Sequence, residues 1–79
     1  MSDAVLARVA EVIRETFGDE SLLVTRETVA EDVPGWDSLS HTIVVLAIGD
    51  AFGIVMPPDT QAFADVGELV DTIRRLTAS

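Results

Sequence analysis

The sequence predicts an all-α fold with three main helices, one short helix and a long loop between the first two main helices. Apolar residues recur at helical spacing in separate segments of the 79-residue chain. Residue types that cap or stop helices stand at the ends of these segments. No candidate partner for a β-strand appears. The length suits a single domain, residues 1–79.

The first helical segment has apolar residues at Leu6, Val9, Ala10, Ile13 and Phe17. Ser2 or Asp3 can cap its start, because a side-chain oxygen there accepts a hydrogen bond from a free backbone N–H. Gly18 directly follows the last apolar residue and is a typical helix stop.

The segment from Asp19 to Trp36 has no persistent period. Its leucines and valines are irregularly placed, and Pro34 and Gly35 mark a turn near its end. Loops in compact domains mostly run to about 4–6 residues, so one this long is either packed down by its own apolar side chains or functional. The scattered apolar residues favour a packed loop with room for one helical turn.

The second helix is expected from Ser38 to Phe52. Its run at positions 43–48 is rich in valine and isoleucine and would suit a strand by propensity alone. We favour a helix, because the apolar stretch is too long for one isolated strand. Asp37 and Ser38 offer capping chemistry at its start, and Gly53 ends it.

Two prolines, Pro57 and Pro58, force an extended connection after the second helix. Asp59 or Thr60 can then cap the short helix, a single turn that we expect to run through Phe63.

The last helix opens at Asp65, which stands three residues before Glu68 in the form of a capping box. Two arginines lie in its last turn, where the helix dipole favours cations. Its apolar residues continue at helical spacing, and these are Val66, Leu69, Val70, Ile73 and Leu76.

The chain is both strongly acidic and rich in apolar residues. Its 14 acids oppose five bases, all arginine, for a formal net charge of −9, while 48% of residues are hydrophobic. Nucleic-acid binding needs clustered cations, so this charge excludes it. The charge also argues against docking on an anionic membrane surface. The apolar content separates the chain from disordered acidic tails.

Several other classes are excluded by residue types. Cysteine is absent, so there is no disulfide, thiolate nucleophile or thiolate metal site. The single histidine, His41, cannot form a metal site of normal ligand count and is expected at the surface. The N-terminal residues lack the positive segment of a secretory signal, and the most apolar stretch falls short of the roughly 20 residues of a membrane span. We expect a cytoplasmic monomer.

Ser38 is the candidate for chemistry. It follows a turn and an acid, and it opens the most apolar helix. A phosphate ester on its hydroxyl would be stabilised by free backbone N–H groups and the helix dipole. By spacing alone, the simpler interpretation is that Ser38 or Asp37 is an ordinary N-cap.

The segment Pro-Gly-Trp-Asp-Ser-Leu at positions 34–39, with Phe-Gly-Ile at positions 52–54, resembles the acyl carrier proteins. That family has Asp-Ser-Leu at the start of its second helix and Phe-Gly-Ile about fourteen residues later. The order of helices, the long first loop and the length are similar from end to end.

The resemblance implies that Ser38 carries 4′-phosphopantetheine, attached by a phosphopantetheinyl transferase. The thiol of this group would hold acyl groups as thioesters for acyl-loading and acyl-using enzymes in fatty acid, polyketide or related lipid metabolism. The protein itself would catalyse nothing, because the chemistry belongs to the cofactor. Asp37 and Leu39 would flank the attachment site, with Asp37 helping to position the modification.

The family also holds acyl chains between its helices. Residues that are otherwise ordinary core are the candidates to line such a space, and these are Val9, Ile13, Val45, Phe63, Val66, Leu69 and Ile73.

The second helix departs from the family pattern. There it typically carries glutamates that dock on basic patches of partner enzymes, whereas here the segment from Leu39 to Pro58 contains Asp50 as its one formal charge. A helix that is apolar on all sides is normally buried, but so small a domain cannot bury every side. We therefore expect an exposed apolar stripe for partner docking. The expected docking residues are Trp36, Leu39, Ile43, Leu46 and Asp50.

The alternative arrangement makes this stripe core and turns Val44 and Ile48 outward. For Trp36, packing of the loop onto the helix start is the favoured role, and contact with the prosthetic arm or a partner is the alternative. The loop acids Glu27, Glu31 and Asp32 either support docking or are solvated.

Two functions follow from these patterns. The first is a specialised freestanding acyl carrier, because the second helix lacks the usual glutamates. Gly-Trp-Asp before the serine also makes an amino-acyl carrier less favoured than other carriers. The second is a small acidic helical adaptor that binds a partner through the apolar stripe without a cofactor.

Overall fold

The computed structural model describes residues 3–77 and contains three α-helices, with no strand within that range. Helix α1 spans Ala4–Phe17, α2 spans Ser38–Phe52 and α3 spans Val66–Thr77. The prediction of an all-α fold with three main helices is confirmed.

Capping groups fix the ends of these helices as the sequence predicts. The Asp3 carboxylate accepts a hydrogen bond of 3.1 Å from the backbone N–H of Leu6 and caps α1. The other candidate cap, Ser2, lies outside the described residues. Gly18 and Gly53 follow α1 and α2 in the left-handed conformation, with φ of 64° and 66°, which glycine adopts without steric cost.

Helix α1 lies at the centre of the packing, because it contacts both α2 and α3. The largest fully buried side chains come from all three helices, and these are Val9, Ile13, Val44, Ile48, Val66, Leu69, Val70 and Ile73. Burial of each such side chain contributes about 1.5–3 kcal/mol, so this cluster is the main source of stability.

The long loop is packed down, as predicted, and its one helical turn is a 3-10 turn at Ala30–Asp32. Val24 and Val33 are buried and anchor the loop, whereas Leu23 is exposed. The Nε of Arg14 on α1 donates to the carbonyl of Leu22 at 2.7 Å.

The loop also completes the N-terminus of α3. The backbone N–H of Val66 donates to the carbonyl of Thr28 at 2.9 Å, and that of Gly67 donates to the carbonyl of Arg26 at 2.8 Å. The Asp65 carboxylate accepts from the N–H of Glu68 at 2.8 Å, which forms the Asp65 half of the predicted capping box. The first N–H groups of α3 are therefore all satisfied within the protein.

The predicted short helix is a single 3-10 turn at Pro58–Thr60 and does not run through Phe63. The turn begins after Pro57, whose carbonyl accepts from both the N–H and the hydroxyl of Thr60, so the expected caps Asp59 and Thr60 were wrong. The side-chain amide of Gln61 donates to the carbonyl of Met56 at 3.0 Å. These side chains bind carbonyls of the segment before the turn, so the turn is held by local contacts.

Gly49 on α2 provides a test of this packing. A Cβ atom there would lie 2.7 Å from the backbone carbonyl oxygen of Ile54. Replacing glycine by alanine in a helix interior normally stabilises it by about 1 kcal/mol. We expect Gly49→Ala to be destabilising instead and to lower the free energy of unfolding in urea by about 1–3 kcal/mol, because the backbone must move.

Asp50→Ala, at the next and exposed position, should be neutral or slightly stabilising. A stabilising effect of Gly49→Ala would contradict the close approach.

Candidate functional site

Ser38 is the first residue of α2, and its side chain is exposed. The capping role belongs to its neighbour, because the Asp37 carboxylate accepts from the N–H of Ser40 at 2.9 Å. Within residues 3–77 the Ser38 hydroxyl makes no hydrogen bond. The structure thus separates the two residues that the sequence left as alternative caps, and the serine oxygen is open to solvent.

The first turn of α2 keeps backbone donors beside this hydroxyl. Asp37 engages the N–H of Ser40 through its carboxylate and that of His41 through its carbonyl, the latter at 2.8 Å. The N–H of Ser38 has no acceptor among the described residues, whereas that of Leu39 faces the Asp37 carboxylate and helps to lower its pKa. The free N–H of Ser38 and the helix dipole together favour an anion at this end of α2.

The hydrogen bond from the Ser40 N–H is the main cause that holds the pKa of Asp37 below its usual range. The carboxylate is therefore ionised at neutral pH, and it is exposed beside Ser38.

The turn before Ser38 is held by a residue that the sequence analysis did not single out. The hydroxyl of Ser40 donates to the carbonyl of Gly35 at 2.9 Å, while its N–H binds Asp37. Gly35 has a φ of 88°, which favours glycine, and the N–H of Trp36 donates to the carbonyl of Val33 at 3.2 Å. A serine three residues after a capping acid carries no distinctive signal, so sequence reasoning could not have found this contact.

Trp36 packs the loop onto the helices, as its favoured interpretation predicts. The indole is half-buried, and its ring lies 5.4 Å from that of Phe17 at the end of α1 and 6.2 Å from that of Phe63. Such separations are typical of favourable aromatic pairs.

His41 is not the plain surface histidine that the sequence predicts. The ring is half-buried, lies 4.9 Å from Phe63, and uses both nitrogens. Trp36 Nε1 donates to Nδ1 at 3.2 Å, and Nε2 lies 2.7 Å from the carbonyl oxygen of Gln61. Gln61 is 20 positions away, so only the tertiary fold brings it to the ring.

An open cleft of about 530 Å³ lies directly beside Ser38. It lies between the start of α2, the 30–32 turn and the segment before α3. Its lining residues are Ala30, Trp36, Asp37, Ser38, His41, Ala62 and Phe63. We name it the Ser38 cleft.

The stripe expected on α2 is exposed, with Leu39 at 72%, Ile43 at 47% and Leu46 at 69%. Val44 and Ile48 are fully buried, so the alternative arrangement of α2 was wrong. A shallow groove of about 730 Å³ continues from Ile43 and Leu46 past the exposed Asp50 to Val55.

The loop acids and the candidate acyl-lining residues differ in exposure. Glu27 and Glu31 are exposed, whereas the Asp32 carboxylate accepts from the N–H of Val29 at 3.1 Å and so helps to fix the 30–32 turn. The candidate lining residues are all buried core except Phe63, which is half-buried. Their buried positions suit a core role and an acyl-lining role equally.

Two further properties bear on the site. Among residues 3–77, no helix combines the length and apolar character needed to cross a bilayer. The same part of the chain has no group of three or more histidine and acidic side chains placed to hold a metal ion.

Comparison with known proteins gives no family: no family model matches the chain, and no solved structure matches it.

The cap of α2 generates a pH-dependent prediction. The pKa of Asp37 is lowered in the folded state from an ordinary value of 3.8, so its contribution to stability is present above that value and is lost as the pH falls through the lower folded pKa. We expect Asp37→Ala to lower the Tm at pH 7, and the difference from the wild type to shrink below about pH 4. Thermal unfolding followed by circular dichroism measures the difference in Tm between the variant and the wild type at each pH. Glu20→Ala, an exposed loop control, should change the Tm little, and a difference for Asp37→Ala that is constant with pH would contradict the capping role.

Proposed function

We propose that this chain is an acyl carrier protein and that Ser38 carries 4′-phosphopantetheine. The observation that carries the proposal is the exposed Ser38 hydroxyl at the start of α2. Asp37, and not Ser38, caps this helix, so the serine hydroxyl is available for modification. It stands within the Asp-Ser-Leu sequence that resembles the family's attachment motif.

The surroundings of Ser38 suit a phosphodiester. The N–H of Ser38, which is unpaired within residues 3–77, and the dipole of the 15-residue α2 would stabilise the negative charge. Asp37 holds the first turn in place through Ser40, which keeps the serine at a fixed position for a transferase. The prosthetic group would supply the thiol that the chain lacks, since the sequence has no cysteine.

The Ser38 cleft also suits the attached arm. Its walls combine aromatic rings with the polar edges of Asp37 and Ser38, and it opens beside the attachment oxygen. An arm tethered at Ser38 would reach these walls without crossing the core. Acyl groups carried as thioesters would belong to lipid, fatty acid or polyketide metabolism in this proposal.

Partner enzymes would dock on the α2 stripe, formed by Leu39, Ile43 and Leu46, with Trp36 and Asp50 at its ends. The stripe begins at the residue after Ser38, so an enzyme bound to it would have the modified serine at the edge of the contact. A charge-poor surface selects partners by apolar complementarity rather than by a basic patch. This favours a specialised freestanding carrier.

The chain would be a substrate of its partner enzymes rather than an enzyme, and it would act as a cytoplasmic monomer. A second candidate function is a small acidic adaptor that binds through the same stripe without a cofactor. The exposure of three large apolar side chains on one side of α2 favours it, because the stripe does not depend on Ser38.

Modification of Ser38 separates these functions. We expect the chain to gain the mass of one phosphopantetheinyl group on incubation with a phosphopantetheinyl transferase and coenzyme A, as measured by intact-mass spectrometry. Ser38→Ala should abolish the gain. Ser21→Ala removes another exposed serine close to an aspartate and should leave the gain unchanged. No gain with several transferases would overturn the carrier function and leave the adaptor.

The docking role of the stripe has its own test. We expect Ile43→Glu to reduce acyl transfer by a native partner enzyme about tenfold or more, because a carboxylate cannot be buried in an apolar contact without a partner. Modification of Ser38 and the Tm should stay near wild-type values. Thr42→Glu places the same charge at the neighbouring exposed position and should have a smaller effect. Equal transfer rates for Ile43→Glu and the wild type would contradict docking through the stripe.

A further inference from the structure

The only tryptophan and the only histidine of the chain are hydrogen-bonded to each other beside Ser38. Trp36 belongs to the long loop, His41 to the first turns of α2, and the Gln61 carbonyl to the segment before α3. The chain of contacts Trp36–His41–Gln61 therefore joins three separate parts of the fold, and two of its members, Trp36 and His41, line the Ser38 cleft.

The partners of the imidazole fix its protonation pattern. A carbonyl oxygen only accepts, so His41 Nε2 must carry the proton that it shares with Gln61. The indole N–H of Trp36 only donates, so Nδ1 must be unprotonated. Both contacts together require the neutral imidazole with its proton on Nε2.

We propose that this bridge is a protonation-sensitive latch on the Ser38 cleft. A proton added to Nδ1 would place an N–H donor against the indole N–H of Trp36, across a separation of 3.2 Å that now holds a hydrogen bond. Two donors cannot share that contact, so the hydrogen bond between Trp36 and His41 breaks, and the indole N–H loses its protection while the ring stays packed on Phe17 and Phe63. The latch is closed with His41 neutral and opens as the pH falls.

The charged groups around the bridge are carboxylates. Asp37 is the charged residue that lines the cleft, and it is already bound to Ser40. Glu31 and Asp32 belong to the 30–32 turn that begins at the lining residue Ala30, and Asp59 lies in the turn just before Gln61. The α1 side chain that packs against Trp36 is Phe17, which is uncharged. Asp37 is therefore the one acid among the lining residues of the cleft that an imidazolium at His41 can face once the bond to Trp36 is lost.

The latch goes beyond the proposed carrier function and does not depend on it. Its consequence is local, because the buried core and the caps of the three helices contain none of its bonds.

The test uses the unmodified full-length protein and no transferase. We expect the protection of the Trp36 indole proton against exchange, measured by NMR relative to free tryptophan at the same pH, to fall about tenfold or more as the pH is lowered from 8 to 5, which corresponds to the loss of about 1.4 kcal/mol. The comparison with free tryptophan removes the intrinsic slowing of base-catalysed exchange at lower pH. The loss of protection should accompany protonation of the His41 ring nitrogens, and tryptophan emission should change with it. Protection and emission that stay constant while the ring is protonated would overturn the latch.

The variant His41→Gln removes the ring and should abolish the pH dependence of the indole protection. Thr42→Gln, at the next and exposed position, should keep it. A transition that persists in His41→Gln would assign the effect to one of the carboxylates and overturn the proposal. If His41→Gln does not fold, the ring nitrogen shifts of the wild type at pH 8 decide: protonation at Nε2 supports the latch, and protonation at Nδ1 overturns it. Failure of Ser38 modification would leave all these readouts unaffected, so the two proposals fail separately.

Discussion

The structure depends on one constraint: α2 is apolar on all sides, and the chain is too short to cover them all. Helix α1 packs against one side, so Val44, Val45 and Ile48 enter the core. The opposite side keeps Leu39, Ile43 and Leu46 in contact with solvent. Single exposed apolar residues are common on proteins, but three on one stripe of one helix form a contiguous patch, which is typical of interaction surfaces.

The first N–H groups of the three helices differ in their hydrogen-bond partners, and this difference distinguishes the start of α2. Asp3, Asp37 and Asp65 each accept one backbone N–H at the start of a helix. At α3 the long loop supplies two further carbonyls, so the first N–H groups of that helix are already paired. At α2 the loop instead turns away through Gly35 and is held there by Ser40, and within residues 3–77 the N–H of Ser38 stays free next to an exposed hydroxyl. The open N-terminus and the exposed stripe are thus adjacent on a single helix.

Sequence reasoning succeeded where the signals are local. Caps, glycine stops and helical spacing depend on residues within a few positions of one another, and they located all three helices. The apolar periodicity of α2 could not show which side is buried, because every side of this helix is apolar. The exposed stripe was predicted from the position of Ser38 instead. The roles of His41, Ser40 and the Gln61 carbonyl were missed because each depends on a contact made by the tertiary fold. The short helix was overestimated because Thr60 and Gln61 bind back to the carbonyls of Pro57 and Met56, and the sequence does not show these side-chain contacts.

The acidic residues of the chain lie mostly outside the segment that carries the exposed stripe. Asp50 is the only formal charge between Leu39 and Met56, so the acids surround the apolar surface rather than occupy it. Two copies meeting stripe to stripe would bring together chains of net charge −9 each, and this repulsion opposes the apolar attraction. A partner with an apolar centre and a less negative surface meets no such penalty. The same composition that makes the exposed stripe attractive to another protein therefore disfavours its burial against a second copy of this chain.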